Sequence, residues 1–419
     1  METFAFDSHL HFLSLRHISF ASYVAFAQQH KFESYAALFS PDYIFKGLLQ
    51  KANMLQNLLS VLESDIAHIA ALLEDDLRGK FAGRDAHPAV LTESGISAVY
   101  GGYDYLVLTP LIMDFEFPEI VPDVYYRRTV SHNLYEAAAD TLEGIRRFRQ
   151  SRPDSRLIIR PYMGINPQQR TGAELSALLE TCFSPQSGWS PSAKKAAEWW
   201  KKLAKAKPVA DFRHIPANSF SGVKVYPPLS FDPWAHNGTQ REKLQFFYGF
   251  CEKHGVPLVT HCDDQGFRLI PQEVSARFTG PARWEKVLER FPNLYLNFAH
   301  FGKQYSKGIL SKQRTAWRDK ILELLVRYPN AYADLSFIGV APEAWKEYAA
   351  LLETLPRNEA EIAGNKLLFG TDWPLSLWLT ESALSYWHGF AASGTGEAFR
   401  HRLLSENPAR FHFRASGGK

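Results

Sequence analysis

The amino-acid sequence predicts an α/β protein folded as a (β/α)₈ TIM barrel. Apolar runs of strand length recur along the chain, and each is followed by a segment whose apolar residues repeat at helical spacing. From Ser219 onward this alternation becomes regular. Histidine, lysine or aspartate lies in or directly after several of the runs, at the strand ends where barrels carry functional groups. A doubly wound open sheet is the competing architecture.

The first strand is expected in residues 4–13, FAFDSHLHFL. Side chains two residues apart lie on one face of a strand, so Asp7, His9 and His11 should project together. Two imidazoles on one face form half of a metal site. The same spacing also occurs in ordinary buried or surface histidines, so the pair alone does not decide between them.

Residues 15–100 contain more helical sequence than one barrel crossover needs. We therefore expect a helical insertion between the first and second strands, within a single barrel domain spanning residues 1–419. The 419 residues fit one such domain, because barrels with insertions run from roughly 200 to more than 400 residues. Two uses of the insertion stay open: a lid over the barrel mouth, or a surface that forms a homodimer.

The second and third strands are expected within residues 101–117 and 156–166, with a helix over residues 127–150 between them. Arg160 lies on the third strand, where a guanidinium can bind a carboxylate through two parallel hydrogen bonds or pair with a buried acid. Weaker candidates for lining a pocket are Asp114, Glu116, Asp334, Ser336 and Trp373.

The remaining five strands are expected in the segments SGVKVYPP, VPLVTHC, LYLNFAH, AYADLS and KLLFGTDW. Four residues in or at the ends of these segments are Lys224, His261, His300 and Asp372. Because parallel strands of a barrel end at a common rim, we expect these side chains to meet the first-strand histidines there.

The composition argues for small-molecule chemistry. A net charge of +3 gives no bulk electrostatic attraction to nucleic acid or to an acidic membrane surface. The three cysteines, Cys182, Cys251 and Cys262, are widely spaced and odd in number, which favours reduced thiols over a disulfide framework. No signal peptide or 18-residue apolar stretch is apparent, so we expect a cytoplasmic protein.

Six segments resemble the amidohydrolase superfamily, specifically the amidohydrolase-related branch with aminocarboxymuconate semialdehyde decarboxylase, resorcylate decarboxylases and pyrone dicarboxylate lactonase. These segments are DSHLHF, GVKVYPP, PLVTHC, NFAHFG, LLFGTDWP and ENPARF. They cover both ends of the chain and nearly all of its second half, whereas residues 15–100 have no recognised counterpart.

The resemblance implies a divalent cation, with Zn²⁺ favoured, bound by His9, His11, His261 and Asp372. Such a cation lowers the pKa of bound water from about 15.7 to about 7. The resemblance also implies that Asp372 takes a proton from the water and returns it to the leaving group. His300 would orient or polarise the substrate carbonyl, or serve as a further ligand.

Lys224 has two interpretations. In superfamily members with two metal ions, the lysine of this strand is carbamylated and bridges the ions, so a binuclear site stays open. Alternatively, Lys224 keeps its ammonium group and binds a substrate carboxylate. Because the branch resembles mononuclear enzymes, one ion is favoured. Arg160 and Trp373 are the other expected substrate-binding residues.

The function that the resemblance implies is hydrolysis of an amide, ester or lactone bond of a small molecule by metal-activated water. Nonoxidative decarboxylation of an aromatic or unsaturated acid is the nearest alternative. A barrel phosphoesterase or nuclease of the TatD or PHP type fits less well, because it predicts Glu where this chain has Lys224. A metal-free binding protein or lactonase-like member is the third alternative.

Overall fold

Short parallel strands form the centre of the molecule. The structure, a computed structural model, describes residues 2–17, 48–81, 87–115, 133–268, 270–305, 315–337 and 342–414. The strand segments in these residues are β1 Phe4–Leu10, β2 Tyr105–Pro110, β3 Leu157–Ile159, β4 Met163–Gly164, β5 Val223–Val225, β6 Leu258–Thr260, β7 Leu296–Phe298, β8 Ala331–Asp334 and β9 Leu367–Leu368.

The strands form two parallel sheets that join at both seams. One sheet has the order β1-β2-β3 and the other runs from β4 to β9. β3 and β4 are halves of one strand position interrupted at Pro161, which has no N–H to donate to a ladder. Across this seam, the Tyr162 N–H donates to the Pro110 carbonyl over 2.9 Å, and the Ser221 N–H donates to the Pro161 carbonyl over 2.9 Å.

The second seam lies between the end of β9 and β1. The Ser8 N–H donates to the Phe369 carbonyl over 3.0 Å, and the Asp372 N–H donates to the His9 carbonyl over 2.7 Å. Eight strand positions are thus joined all the way round. The fold is the expected (β/α)₈ barrel, and these backbone bonds exclude the open sheet.

Helices surround the barrel. They are α1 Leu48–Glu63, α2 Ile66–Leu77, α3 Leu134–Ser151, α4 Gly172–Phe183, α5 Ala193–Leu203, α6 Gly238–His254, α7 Gln272–Thr279, α8 Pro281–Arg290, α9 Ala316–Arg327, α10 Pro342–Glu353, α11 Arg357–Gly364, α12 Ala383–Ala391, α13 Glu397–His401 and α14 Asn407–Phe413. No helix in the described ranges combines the length and the apolarity needed to cross a bilayer.

The helix expected over residues 127–150 is α3. It starts after Asn133, whose side chain accepts from the Glu136 N–H while the Glu136 carboxylate accepts from the Asn133 N–H. This reciprocal cap satisfies two amides that would otherwise lack partners at the helix start. Residues 127–132 of the expected helix lie outside the described residues.

The described part of the expected insertion lies beside the barrel. α1 packs against the short 3₁₀ turn Leu375–Trp378, just after the strand end that carries Asp372, and α2 packs against α3. The Leu15 N–H donates to the Leu62 carbonyl over 2.8 Å, which joins the chain after β1 to the end of α1. Residues 18–47 and 82–86 of the insertion lie outside the described residues, and its use as a lid or dimer surface stays a prediction.

The C-terminal helix α14 covers the end of the barrel where the strands begin. Phe411 packs inside the barrel against Tyr162, Tyr332 and Leu368. The fully buried Asn407 donates from Nδ2 to the Leu367 carbonyl at the start of β9 and to the Gly364 carbonyl, over 2.8 and 2.9 Å. This end of the barrel is therefore filled by side chains within the described residues.

We expect Asn407→Ala to lower the free energy of unfolding by roughly 1–3 kcal/mol, because it leaves two buried carbonyl groups without a donor. Urea unfolding followed by circular dichroism measures the change. Asn330→Ala is the matched control, because its amide donates to the Asn293 carbonyl in an exposed position. Equal losses in the two variants would contradict the role given to Asn407.

Candidate metal centre

His9, His11 and Asp372 form one buried group at the rim of the barrel. The Nε2 atoms of His9 and His11 lie 3.6 and 3.3 Å from Asp372 Oδ1. One donor atom from each of the three residues lies within 4.8 Å of the others. The two histidines share the end of β1, and the β1–β9 seam brings Asp372 beside them.

Both histidines direct Nε2 toward the aspartate because their Nδ1 atoms are occupied. His9 Nδ1 lies 2.9 Å from Asp334 Oδ2, and His11 Nδ1 lies 2.9 Å from the Leu111 carbonyl oxygen. A carbonyl oxygen accepts only, so His11 carries its proton on Nδ1, and the ionised Asp334 carboxylate imposes the same tautomer on His9. The Nε2 lone pairs are therefore available to a cation.

Burial keeps His9 in its neutral form. Its side chain is removed from solvent, which lowers the pKa of His9 to about 3 despite the nearby Asp334 carboxylate. Within the described residues, His9 Nε2 and Asp372 Oδ1 are buried without a hydrogen-bond partner. Burial alone would raise the pKa of Asp372, but the surrounding histidines, His11 foremost, hold it below its usual value.

His261, Asp263 and His300 form a second buried group. His261 Nε2 lies 3.0 Å from Asp263 Oδ1 and 3.1 Å from the Gln265 carbonyl oxygen, so Nε2 donates and Nδ1 keeps the lone pair. Gly266, at φ +92°, allows this loop to lie close, because an added Cβ would come within 2.8 Å of His261 Nε2. Burial alone would raise the pKa of Asp263, but His261 lowers it to about 2.

His300 also belongs to a third buried group, with His9 and Asp334. Its ring centroid is 4.8 Å from that of His9 and 4.9 Å from that of His261. Its Nδ1 lies 3.0 Å from Ser336 Oγ and 3.3 Å from the Ser336 carbonyl oxygen. His300 adopts φ +60°, in the left-handed region that is uncommon for residues with a Cβ.

The structure therefore divides the ligand set expected from the sequence. His9, His11 and Asp372 come together, whereas His261 lies in the other group, with Asp263 and His300. The reason is the strand order, since β6, which leads to His261, lies opposite β1 across the barrel. A linear motif does not reveal which of several rim residues are neighbours.

Asp334 connects the groups, although the sequence marked it only as a weak candidate. Its carboxylate accepts from His9 Nδ1, from Asn297 Nδ2 over 2.7 Å and from the His300 N–H over 3.1 Å. Burial alone would raise its pKa, but the electrostatic interaction and the hydrogen bond with His9 hold it far below the usual value. The sequence analysis missed Asn297 and Asp263. The signal was a polar residue inside the apolar run LNFAH and an acid two positions after His261.

Asp7 and Thr371 fix the backbone beside Asp372. Asp7 Oδ2 accepts from the Thr371 hydroxyl over 2.6 Å, and Oδ1 accepts from the Thr371 N–H over 3.0 Å. The Thr371 hydroxyl oxygen also accepts from the Trp373 N–H over 3.2 Å. Asp372 itself adopts φ +56°, an uncommon conformation that these flanking bonds hold in place.

Lys224 is buried, with 2% of its surface exposed, and its Nζ has no hydrogen-bond partner within the described residues. Burial lowers the pKa of Lys224 to about 8, although the carboxylates of Asp334 and Asp372 act in the opposite direction. Nζ lies 5.8 Å from the centre of the Tyr226 ring. Lys224 is thus close enough to the carboxylates of the metal centre to feel their charge.

Arg160 and Trp373, the other expected substrate-binding residues, both contact protein groups. Arg160 donates to Ser221 Oγ and to the Asn218 carbonyl, and its guanidinium lies 4.7 Å over the Trp199 ring of α5. The guanidinium of Arg160 therefore faces the helical layer. The Trp373 ring is buried and packs edge-on against Phe12.

Asp114 and Glu116 are the two weaker candidates that follow β2. Asp114 pairs with Arg170 over 3.0 Å, so its charge is compensated within the protein. Glu116 lies outside the described residues.

A family model described as amidohydrolase matches residues 206–414, about half of the chain. This region contains every residue of the second group as well as Lys224, Asp334 and Asp372. Residues 206–414 belong to the amidohydrolase family. The match supports an enzyme of the amidohydrolase type, and it leaves His9 and His11 outside the matched residues.

Solved structures similar to this amidohydrolase share little sequence with it. An uncharacterised TIM-barrel protein from Bordetella bronchiseptica is 12% identical, with 97% of this chain and 98% of that chain covered and a TM-score of 0.45. A probable 2-pyrone-4,6-dicarboxylic acid hydrolase from Acinetobacter baumannii is 13% identical, with coverage of 97% and 98% and a TM-score of 0.42.

A uronate isomerase from Bacillus halodurans is 15% identical, with 98% of this chain and 93% of that chain covered and a TM-score of 0.40. A search of curated proteins finds no match. These similarities are too distant to bear on the substrate.

In this amidohydrolase, Thr371→Val should weaken Co²⁺ binding roughly 10- to 100-fold, the usual effect of losing a residue that orients a metal ligand. The variant keeps the shape of threonine but removes the hydroxyl that contacts Asp7 and the Trp373 N–H. Titration with Co²⁺ in competition with a chromophoric chelator measures the affinity.

Thr371→Ser keeps the hydroxyl and should restore wild-type affinity. Thr141→Val is the remote control, because it removes a buried hydroxyl that donates to the Ala137 carbonyl within α3. Equal Co²⁺ affinities in Thr371→Val and Thr371→Ser would show that this contact does not position Asp372.

Proposed function

We propose that this chain is a metal-dependent hydrolase of the amidohydrolase type that cleaves an amide, ester or lactone bond of a small molecule. The single observation that carries the proposal is the buried group of His9, His11 and Asp372, with donor atoms within 4.8 Å of one another. The group lies at the carboxyl ends of the barrel strands, which is where barrel enzymes carry their active sites.

The residues present fit a divalent cation. Two neutral imidazoles and one carboxylate are a donor set that suits Zn²⁺ and similar first-row metals. Asp334 and the Leu111 carbonyl contact the Nδ1 atoms of His9 and His11, which leaves both Nε2 lone pairs available. Leaving His9 Nε2 and Asp372 Oδ1 buried without a partner is unfavourable unless a ligand occupies the space between them.

The charges of the site support the same conclusion. Interactions with neighbouring groups hold the pKa values of Asp263, Asp334 and Asp372 below their usual values, so all three are ionised at neutral pH. Among the described residues, the Lys224 ammonium offsets one of these charges, which leaves a net charge near −2. Burial raises the pKa of Asp7 to about 7, so its partial ionisation adds to the negative charge. Uncompensated buried charge is costly, and one divalent cation would neutralise most of it.

His9, His11 and Asp372 would hold the cation, with His300 as the neighbouring ligand. When bound, the cation supplies Lewis acidity and lowers the pKa of water at the site. Asp372 is ionised, so its carboxylate can accept a proton from the attacking water and return it to the leaving group. Asp334 keeps the His9 ring oriented throughout, because its contact is with Nδ1, away from the reacting side.

The geometry favours one of the two roles expected for His300. Burial lowers the pKa of His300, so the imidazole is neutral and carries one proton. The Ser336 carbonyl oxygen next to Nδ1 accepts only, which places that proton on Nδ1. His300 Nε2 therefore has a lone pair, which can bind a cation but cannot donate to a substrate carbonyl. We assign His300 as a ligand.

We expect His9→Ala combined with His11→Ala to abolish both cation binding and turnover while the barrel stays folded. Elemental analysis of protein purified without chelator gives the metal content, and a panel of esters, lactones and aromatic carboxylates gives the activity. The carboxylates distinguish hydrolysis from the alternative decarboxylation. His214→Ala removes an exposed imidazole and is the matched control.

Cation at about 100 times its Kd should raise the free energy of unfolding by about 2.7 kcal/mol in the wild type, since it binds only the folded state. The double variant should show no such increase. A double variant with full turnover and metal content would refute the proposed site. A wild-type protein that takes up no metal on dialysis would favour the metal-free alternative.

A further inference from the structure

We propose that Arg160 forms a second ligand site of this protein, which binds a phosphate group on the side of the barrel that faces helix α5. The site is separate from the metal centre, whose residues lie in or directly after β1 and β6 to β9 at the rim. It goes beyond the proposed hydrolysis and does not depend on it.

Arg160 is a buried cation without an acidic partner. Only 9% of its surface is exposed, and no Asp or Glu among the described residues pairs with it or contributes an electrostatic interaction. Arg146 is buried to a similar degree and pairs with Glu143 over 2.7 Å. Arg170 is likewise buried and pairs with Asp114 over 3.0 Å. Because a buried charge normally has a partner, the lack of an acid beside Arg160 points to an anion from outside the chain.

The charge of Arg160 persists at neutral pH. Burial lowers the pKa of Arg160 to about 10, which still leaves the guanidinium protonated at pH 7. In the described part of the chain, Tyr162 is the one ionisable group whose charge acts on Arg160. Burial raises the pKa of Tyr162 well above its usual value, so this phenol is neutral. The positive charge of Arg160 is therefore uncompensated among the described residues.

Three of the five N–H groups of Arg160 have no acceptor within the described residues, since Nε and Nη2 donate one each. Nε donates to Ser221 Oγ over 3.1 Å, and Nη2 donates to the Asn218 carbonyl over 3.2 Å. The remaining N–H groups lie on Nη1 and Nη2, where two parallel hydrogen bonds to one oxyanion can form. The Ser221 hydroxyl accepts from Nε, and its own hydrogen has no acceptor in the same part of the chain. The site is therefore a set of hydrogen-bond donors.

The unoccupied end of the guanidinium reaches the surface. Nη1 is not among the buried atoms that lack a partner, so it keeps contact with solvent. The Trp199 ring, whose centre is 4.7 Å from the guanidinium carbon, is half-buried, and the nearby chain at Pro216 and Ala217 is exposed. An anion can therefore approach these N–H groups from solvent, without an enclosed cavity.

The donors define the chemical class of the ligand. A guanidinium matches the oxygens of a carboxylate or of a phosphate group. Phosphate presents three or four acceptor oxygens, so it can satisfy both Nη atoms and the Ser221 hydroxyl together, whereas a carboxylate presents two. Helix α5, which carries Trp199, has four exposed lysines and one exposed acid, Glu198, so the surface beside the site is positively charged. Phosphate is therefore the favoured ligand.

Calorimetric titration with inorganic phosphate tests the site, in Hepes buffer at constant ionic strength. Because phosphate also binds metal ions, the full-length protein is titrated both as purified and after treatment with a chelator. Acetate is the probe for carboxylates, and phenyl phosphate is the probe for phosphate esters. The variants are Arg160→Met and Ser221→Ala. Arg327→Met is the matched control, because it removes a half-exposed arginine paired with Glu285.

We expect phosphate to bind the wild type and Arg327→Met equally, with or without the chelator. Binding should be roughly 10- to 100-fold weaker in Arg160→Met, which loses charged hydrogen bonds, and roughly 2- to 10-fold weaker in Ser221→Ala, which loses a neutral one. Acetate should bind more weakly than phosphate. Phosphate should also raise the thermal unfolding midpoint of the wild type but not that of Arg160→Met. The tighter binder of inorganic phosphate and phenyl phosphate identifies the ligand as the free ion or an ester.

Unchanged phosphate affinity in Arg160→Met would overturn the proposal, and unchanged affinity in Ser221→Ala decides the matter in the same way if Arg160→Met does not fold. Equal affinities for acetate and phosphate would refute the phosphate class. Phosphate binding that disappears on chelation would also overturn the proposal, because it would then belong to the metal centre. A protein that takes up no metal but binds phosphate through Arg160 would refute the proposed function and support this site.

Discussion

The closure of β9 onto β1 is the contact on which the rest of the site depends. The Asp372 N–H donates to the His9 carbonyl over 2.7 Å, and the next bond along the seam runs from the His11 N–H to the Trp373 carbonyl over 2.6 Å. These bonds join the two ends of the chain and bring a carboxylate within reach of two imidazoles. Without this seam, the sheet would be open and Asp372 would lie far from the histidines.

Hydrogen-bond acceptors around the imidazoles determine which ring nitrogen of each histidine carries the proton. Asp334 occupies one nitrogen of His9, the Leu111 carbonyl does so for His11, and the Gln265 carbonyl does so for His261. Each acceptor fixes one tautomer, and each imidazole therefore offers a defined lone pair. The ionised carboxylates supply the negative charge that makes a divalent cation favourable and a free anion unfavourable.

The amidohydrolase match and the first-strand histidines come from different parts of the chain, and both concern the same rim of the barrel. The family model covers residues 206–414, whereas His9 and His11 lie near the first residue of the chain. The barrel unites them, since its seam places the first-strand histidines against the matched half. The insertion helix α1 packs against the 3₁₀ turn Leu375–Trp378, which follows Asp372.

The alternation of apolar runs and helical segments was enough to determine a parallel α/β sheet and to favour the barrel, because strands covered on both sides need continuous apolar sequence and parallel strands need helical crossovers. Only the backbone bonds between β9 and β1 exclude the open sheet. The spacing of His9 and His11 likewise determined that they share a face. The sequence alone could not determine which rim residues are neighbours, why Arg160 faces α5, or that Asp334 orients His9. Those relations depend on strand order across a closed barrel and on side-chain contacts between residues far apart in the chain, and only the tertiary structure decides them.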